Sequence, residues 1–341
     1  MARVFGDSAS SDGTSAGDRG AVIGPTQIVG GTNRPGVGPA PFAMPPGMAI
    51  RYDQPAADLA DYITGYHVYS ADHRHVGQVD WFLPGTANVR IAIDAAPFSV
   101  SIARRTFDPV PEVSLFGPTS HALKATTNGG ILVGFGVSAL GWSRLFNPPA
   151  ATYRDRVVPL ATALPGSFAL RLRDALYRSD REGEVAPVLD ALLRAQLGLM
   201  QRDVTHRDAP LIRQLMVMIA REGTAEIAQA AAELGIEPHA LRRLAVRHFG
   251  FPPKLLLRRA RFLRSFLQIA RTDKTIDYAR LDKSYFDVPH FLRDANTFLG
   301  MTPRRFLSLN TPFLDASLRA RAAVLGAATQ VLHDISAAKP G

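Results

Sequence analysis

The chain has no cysteine among its 341 residues. That excludes disulfides, thiolate zinc centres, iron–sulfur clusters and a cysteine nucleophile together, and it fits a reducing, cytoplasmic setting. No apolar run is long enough to cross a bilayer. The first residues lack the basic start and apolar stretch of a secretory signal, so no membrane partner is expected. "GVSALG" around Ser138 is not a nucleophile-elbow pattern, and Ser-His-Asp catalysis has no other motif behind it. RNA binding would need exposed aromatics on a sheet or a Gly-rich clamp, whereas the aromatics here sit at core spacings. Neither catalysis nor a cofactor is expected. Acidic residues are the scarcer charge, 30 Asp and Glu against 39 Lys and Arg, for a net charge of +9. Such a balance favours an anionic partner.

That positive charge is concentrated. Between Ala225 and Asn310 there are 15 Lys and Arg against 8 Asp and Glu, so about a quarter of the chain holds 7 of the 9 excess charges. A basic segment, rather than a basic protein, is the footprint of a nucleic-acid module.

The texture of the chain changes along its length. Residues 1–47, rich in Gly, Ser, Ala, Pro and Thr, offer too little apolar area to offset ordering entropy and are expected to be a disordered leader. Residues 48–165 place Gly and Pro between short apolar runs such as "FSVSIA" and "GGILVGFGV". The alternation in Val89-Arg90-Ile91-Ala92-Ile93-Asp94 reads as half-buried strand. Within this β-rich domain "AADLADYITGYHVY" is the helical candidate. From 166 to 220 the apolar spacing turns to three and four, giving a helical linker whose first two helices are expected to bridge the domains. Residues 221–310 form the basic all-α domain, and 311–341 add a last amphipathic helix and tail. The fold class is therefore α+β.

Within the basic segment, "TAEIAQAAAELGIEPHALRRLAVRHFG" follows helix-turn-helix arithmetic. Thr224 caps a first helix that runs to Leu234. Ala231 is small enough for a close helix crossing, and Gly235 supplies the positive-φ turn. Pro238 opens a second helix that Leu241 and Leu244 pin to the first. His239, Arg242, Arg243 and Val246 then share the exposed edge, with Arg247 beside them, where arginine can meet guanine O6 and N7 or a phosphate. A second unit, "SYFDVPHFLRDANTFLG", turns Phe291, Ala295 and Phe298 inward and leaves His290 and Arg293 to reach bases. Between the units "PPKLLLRRARFLRSFLQIA" reads as a helix of about eighteen residues, roughly 27 Å long. It would hold the two recognition helices in successive major grooves. Lys254, Arg258, Arg259, Arg304 and Arg305 are the expected phosphate contacts.

Residues 224–307 resemble the DNA-binding domain of AraC/XylS-type transcription regulators. "AAAELGIEPHALRRLAVRHFGFPPKLLLRRARF" and "SYFDVPHFLRDANTFLGMTPRRFL" carry the likeness, with Gly300, Thr302 and Pro303 in the closing signature. The β-rich segment more weakly resembles the N-terminal domain of one AraC subgroup. The resemblance implies a sequence-specific DNA-binding regulator whose N-terminal domain senses a small-molecule effector or mediates association, as in a homodimer, with RNA polymerase as a further partner. AraC-like chains that repair alkylated DNA use a reactive cysteine, which is absent here. Two departures weaken the second unit: Arg280 and Ser284 stand where the family has alanine and glycine, with Ala279 displaced by one. Val288 replaces a polar reader, so this unit is expected to grip backbone more than bases.

One competing pattern is present. His67, His73 and His75 in "YHVYSADHRHVGQVD", with Asp80 nearby, have the His-x-His look of a cupin metal site, which would make the β-domain a metalloenzyme with a helical accessory domain. The usual glutamate spacing is missing, and no metal is expected.

Overall fold

Strand Ile63–Ala71 is buried at every position. Its side chains alternate between two covered faces: Tyr66 and Val68 join the main core on one, and His67 and Tyr69 turn to the other. This explains why "AADLADYITGYHVY" does not form the expected helix. After a single 3-10 turn at Ala57–Leu59 the β-branched and aromatic residues go into a central strand. Burial of both faces hides the period of two that would have marked it as one.

The structure, a computed structural model, describes residues 28–199, 205–221, 227–270 and 273–333. Strands β1 (Met48–Asp53), β2 (Ile63–Ala71), β3 (Gln78–Phe82), β4 (Ala87–Ile93) and β5 (Ser99–Ile102) are followed by β6 (Arg105–Phe107), β7 (Val113–Phe116), β8 (Leu123–Thr127), β9 (Gly130–Val137) and β10 (Val157–Pro159). They build two antiparallel sheets, β1-β2-β9-β4-β7-β10 and β3-β8-β5-β6. The alternating segment around Val89 is β4, in register with both β9 and β7. Helix α1 (Ala139–Leu145) starts at Ser138, whose hydroxyl accepts from Gly141 N; that serine is a helix cap.

Helices α2 (Gly166–Arg178) and α3 (Val185–Leu199) do not bridge the domains. Their apolar stripes, including Phe168, Leu172, Leu189 and Leu193, lie on the larger sheet and complete its core. Helix α4 (Thr205–Ala220) instead contributes Ile212 and Leu215 to the core of the basic domain. That domain continues through α5 (Ile227–Glu233), α6 (Pro238–Phe249), α7 (Pro253–Ile269), α8 (Val288–Leu299) and α9 (Pro303–Leu307).

Both ends of the described chain pack on the β-rich domain. Residues 28–47, expected as part of a disordered leader, are ordered against it. Gly31 exchanges backbone hydrogen bonds with Ile50 and Tyr52, and Phe42 is buried beside α10 (Pro312–Leu325). The segment has no period of its own, but isolated apolar anchors and a strand edge order it from outside. Residues 1–27 of that expected leader lie outside the described residues. Helix α10 follows the basic domain in sequence yet packs on β1 and β3 through Phe313, Ala316, Ala320 and Val324.

Candidate nucleic-acid interface

The first helix-turn-helix unit forms from its local signals. Ala230 and Ala231 of α5 are buried where the helices cross. Gly235 adopts φ +63°, and the amides of Gly235 and Ile236 donate to the carbonyls of Ala232 and Ala231, both at 3.1 Å, closing the helix. Pro238 opens α6 behind an extended Glu237. The inward stripe is Leu241, Leu244, Ala245 and His248. His239, Arg242, Arg243 and Arg247 are exposed, and among the described residues their side chains make no hydrogen bond or ion pair. Val246, expected on the exposed edge, is instead half-buried, its apolar side chain turned partly toward the packed side of α6. Thr224, the expected cap of the first helix, lies outside the described residues.

The basic edge faces the β-rich domain across a cleft of about 830 Å³. Arg242, Arg243, Val246 and Arg247 form one wall, and Phe146, Asn147 and Pro149 belong to the other. At the end of α6 the two domains touch. Gly250 has φ +85°, and a β-carbon there would stand 2.5 Å from the Pro118 ring. His248 Nε2 is 3.4 Å from the Asp208 carboxylate while Nδ1 is buried without a partner. Burial, only partly offset by Asp208, holds the ring's pKa below its ordinary value.

The second unit differs. Recognition-type helix α8 is present, capped by Asp287 and packed through Phe291, Ala295 and Phe298. The helix that should precede it is not. Among the described residues of that stretch there is one 3-10 turn at Tyr278–Arg280. Asp273, Asp277 and Asp282 each accept a hydrogen bond from the amide two residues on, offering the backbone tight turns in place of a helix. Ser284, at the usual glycine position, is not among the residues with positive φ. The expected pair of complete helix-turn-helix units is thus one complete unit and one recognition helix with a shortened approach.

Charge is also spent differently here. Asp294 is buried on the inward stripe of α8, with its carboxylate at 1% exposure. It accepts from Arg258 Nε at 2.6 Å, Arg261 Nη2 at 3.3 Å and the Tyr285 hydroxyl at 2.7 Å. Arg261 also lies 4.4 Å from the centre of the Tyr285 ring. His290 is half-buried within 3.4 Å of Arg261, so it is less open to a base than its sequence position implied. Arg293 is exposed. The sequence signal for Asp294 is its place at i+3 from Phe291, which turns it inward toward an arginine-rich helix.

Two expected phosphate contacts are engaged elsewhere. Arg258 is committed to Asp294 and to Thr297 Oγ1 at 3.3 Å. Arg259 is buried against the β-rich domain, donating to the carbonyls of Gly85 and Thr119 over the Phe251 ring. Burial pulls its pKa down to about 10, so the group stays charged at neutral pH. In this arrangement Arg259 cannot reach a phosphate. It falls at i+3 from Leu256 on the stripe that continues through Ala260 and Leu263, so α7 turns it inward. Beside it Ala122 N donates to Phe298 O at 2.7 Å, joining the β-rich domain to α8. Lys254, Arg304 and Arg305 are exposed and unpaired among the described residues.

The histidine cluster does not converge. His67 is buried in β2, His73 is exposed on a 3-10 turn, and His75 bonds the carbonyl of Pro46 at 2.9 Å. Asp80 accepts from Phe313 N at 3.0 Å and caps α10, and burial pushes its pKa up to about 6. The pattern is a strand followed by a turn, and among the described residues these histidines form no metal-holding group, so the metalloenzyme reading is not favoured.

A glycine-turned helix pair with a free cationic edge, joined by a 17-residue helix to a second recognition helix, defines a helix-turn-helix DNA-binding protein. Residues 230–308 match the family model described as a helix-turn-helix domain. This region is an AraC-type helix-turn-helix domain, and the protein is a DNA-binding transcription regulator. No curated protein matches the chain. Among solved structures it is similar to ToxT from Vibrio cholerae, at 10% identity and TM-score 0.37 over 71% of this chain and 97% of that one. A structure of unsaturated fatty acid bound wild-type ToxT from Vibrio cholerae strain SCE256 gives 11% and 0.38, covering 70% and 93%. The AraC-like transcriptional activator CuxR gives 13% and 0.22, covering 70% and 90%. The assignment rests on the helix-turn-helix match. Among the described residues no helix is long and apolar enough to cross a membrane.

Proposed function

We propose that α6 reads operator sequence from the major groove with His239, Arg242, Arg243 and Arg247, while Lys254, Arg304 and Arg305 grip phosphates. The observation that carries this reading is the cationic edge of α6 in the matched domain, exposed and unpaired among the described residues. Cations already paired inside a fold must break those pairs to bind DNA; these need not. Arg293 on α8 adds a weaker contact, and His290 and Arg258 serve mainly the packing of α8. Ala231, Gly235, Leu241, Leu244, Phe291 and Phe298 hold the two recognition helices in shape. The action is binding rather than catalysis, in the cytoplasm. Residues 221–310 are the DNA-binding unit. Residues 48–165, completed by the helices of 166–199 and by α10, are the effector-sensing unit, with self-association and RNA polymerase contact as its outputs.

Fluorescence anisotropy on cognate and random duplexes tests the division of labour. Arg243→Ala should cost roughly 1–3 kcal/mol on the cognate duplex and relax preference at one base pair. Arg304→Ala should weaken both duplexes alike and lower the salt slope by about 1. Equal losses on both duplexes for the two variants would refute the assigned roles.

A further inference from the structure

A second cavity, far in sequence from the DNA-binding edge, lies between the larger sheet and α10. It measures about 90 Å³, room for several water molecules or the anionic head of a compact organic molecule, given that one water needs about 10–15 Å³. Two arginines line it, Arg90 from β4 and Arg321 from α10, only 9% and 5% exposed. No Asp or Glu is in the lining. Arg90 Nε and Arg321 Nε and Nη2 are buried with no hydrogen-bond partner among the described residues.

What surrounds these cations compensates them only in part. The Arg90 guanidinium carbon is 4.4 Å from the Phe116 ring centre and 5.7 Å from that of Phe82. Arg321 lies 5.8 Å from the Tyr52 ring centre and meets the Tyr52 hydroxyl. That hydroxyl is already linked to Tyr69 at 2.6 Å, which reaches Ser317 at 3.1 Å. Burial together with both guanidiniums keeps His67 neutral, so it adds no negative charge. The one carboxyl in a neighbouring cavity that Arg90 also lines, Asp80, is engaged in capping α10. Arginine does not shed its proton at neutral pH, and a buried charge without a counter-ion is costly. A fold that keeps two such charges around one cavity is built for an anion.

We propose that this cavity binds a small organic carboxylate, its anionic head paired with Arg90 and Arg321 and its apolar body against Phe82, Phe116 and Leu318. Planar guanidinium forks suit a carboxylate or a phosphate, and the aromatic and aliphatic wall favours the organic ion. Bound there, the ligand bridges β4 to α10. Because α10 follows α9 after four residues, the bridge ties the end of the DNA-binding domain to the β-rich domain. This regulatory consequence rests on the sensing role proposed above; the binding itself does not.

Full-length protein in low-chloride buffer tests it, with benzoate as probe, benzamide as its neutral counterpart and inorganic phosphate as the non-organic anion. Benzoate at millimolar concentration should raise the melting temperature and give a calorimetric isotherm, and benzamide should do neither. Arg321→Met and Arg90→Met should each weaken benzoate about tenfold or more while the ligand-free proteins melt no lower than the parent. The proposal is overturned if benzoate leaves the parent unchanged, if phosphate alone binds, or if the variants melt lower without ligand, since the arginines would then be structural. Operator binding is measured on the same samples. Operator binding by a protein that shows neither a benzoate isotherm nor a melting shift sinks the cavity proposal and leaves DNA recognition standing. Benzoate binding that both variants lose, without operator binding, upholds the cavity and sinks the recognition reading.

Discussion

The two helix-turn-helix units, built from related stretches of sequence, handle charge in opposite ways. In the first, the cations of α6 stay at the surface without partners among the described residues, and the buried stripe holds a neutral-leaning histidine. In the second, α8 turns a carboxylate inward, and that carboxylate draws Arg258, Arg261 and Tyr285 into a closed network. An arginine count therefore does not measure DNA-binding capacity. What matters is whether each guanidinium already has a carboxylate, and the two units answer differently.

The sharpest way to break this comparison is Asp294→Ala. It leaves two arginines and a tyrosine around an empty site, so it should destabilise the protein by about 3–5 kcal/mol in urea unfolding. Arg293→Ala, one residue away but exposed, should change stability by less than about 0.5 kcal/mol. Similar values for the pair would mean that the network does not hold α8. In operator binding the order reverses between units: Arg243→Ala should cost more than Arg293→Ala, by roughly 1 kcal/mol, because only the first unit has a complete turn to fix its recognition helix.

The pH dependence sharpens the comparison further. His248 has a folded pKa below its ordinary value of 6.5, so the unfolded chain takes up its proton first as pH falls. Its contribution to stability is complete above about pH 6.5 and declines below it, by at most about 1.4 kcal/mol per pH unit. Buried Asp80 acts with the opposite sign between its ordinary 3.8 and about 6, where the folded state holds the extra proton. Comparing His248→Phe with the parent isolates the histidine. The variant should lose less stability between pH 7 and 5, and a parallel profile would contradict the burial argument. The smallest effect concerns the turns. Gly235→Ala meets no atom within 4 Å, so its cost is backbone strain alone, about 1 kcal/mol. Ser284→Gly, at the matching place in the second unit, should not stabilise the protein, since Ser284 is not held at positive φ.

Much of the first unit was legible because its signals are local. A glycine that must turn, a proline that can only start a helix and leucines at helical spacing all act within one or two turns of chain. The inward polar residues were legible in principle. His248, Arg259, Asp294 and Arg321 each occupy a helix position three or four residues from apolar partners, on the face that the fold buries. Their spacing says that they turn inward, but not toward what. Three departures from the sequence expectation share another cause. β2 is a strand where a helix is expected, residues 28–47 are ordered where a leader is expected, and α2 and α3 complete the sheet's core instead of bridging domains, because each takes its conformation or place from surfaces supplied by distant parts of the chain.

The sequence by itself determined the helix-turn-helix, its family and the cationic edge of α6, since hydrogen-bonded turns and amphipathic spacing are written in consecutive residues. Only the tertiary structure decided which arginines remain free, because a guanidinium's availability depends on what long-range folding sets against it. Asp294 claims Arg258, the carbonyls of Gly85 and Thr119 claim Arg259, and the return of α10 to the sheet brings Arg321 to the cavity that Arg90 lines, with no carboxylate among its described lining residues.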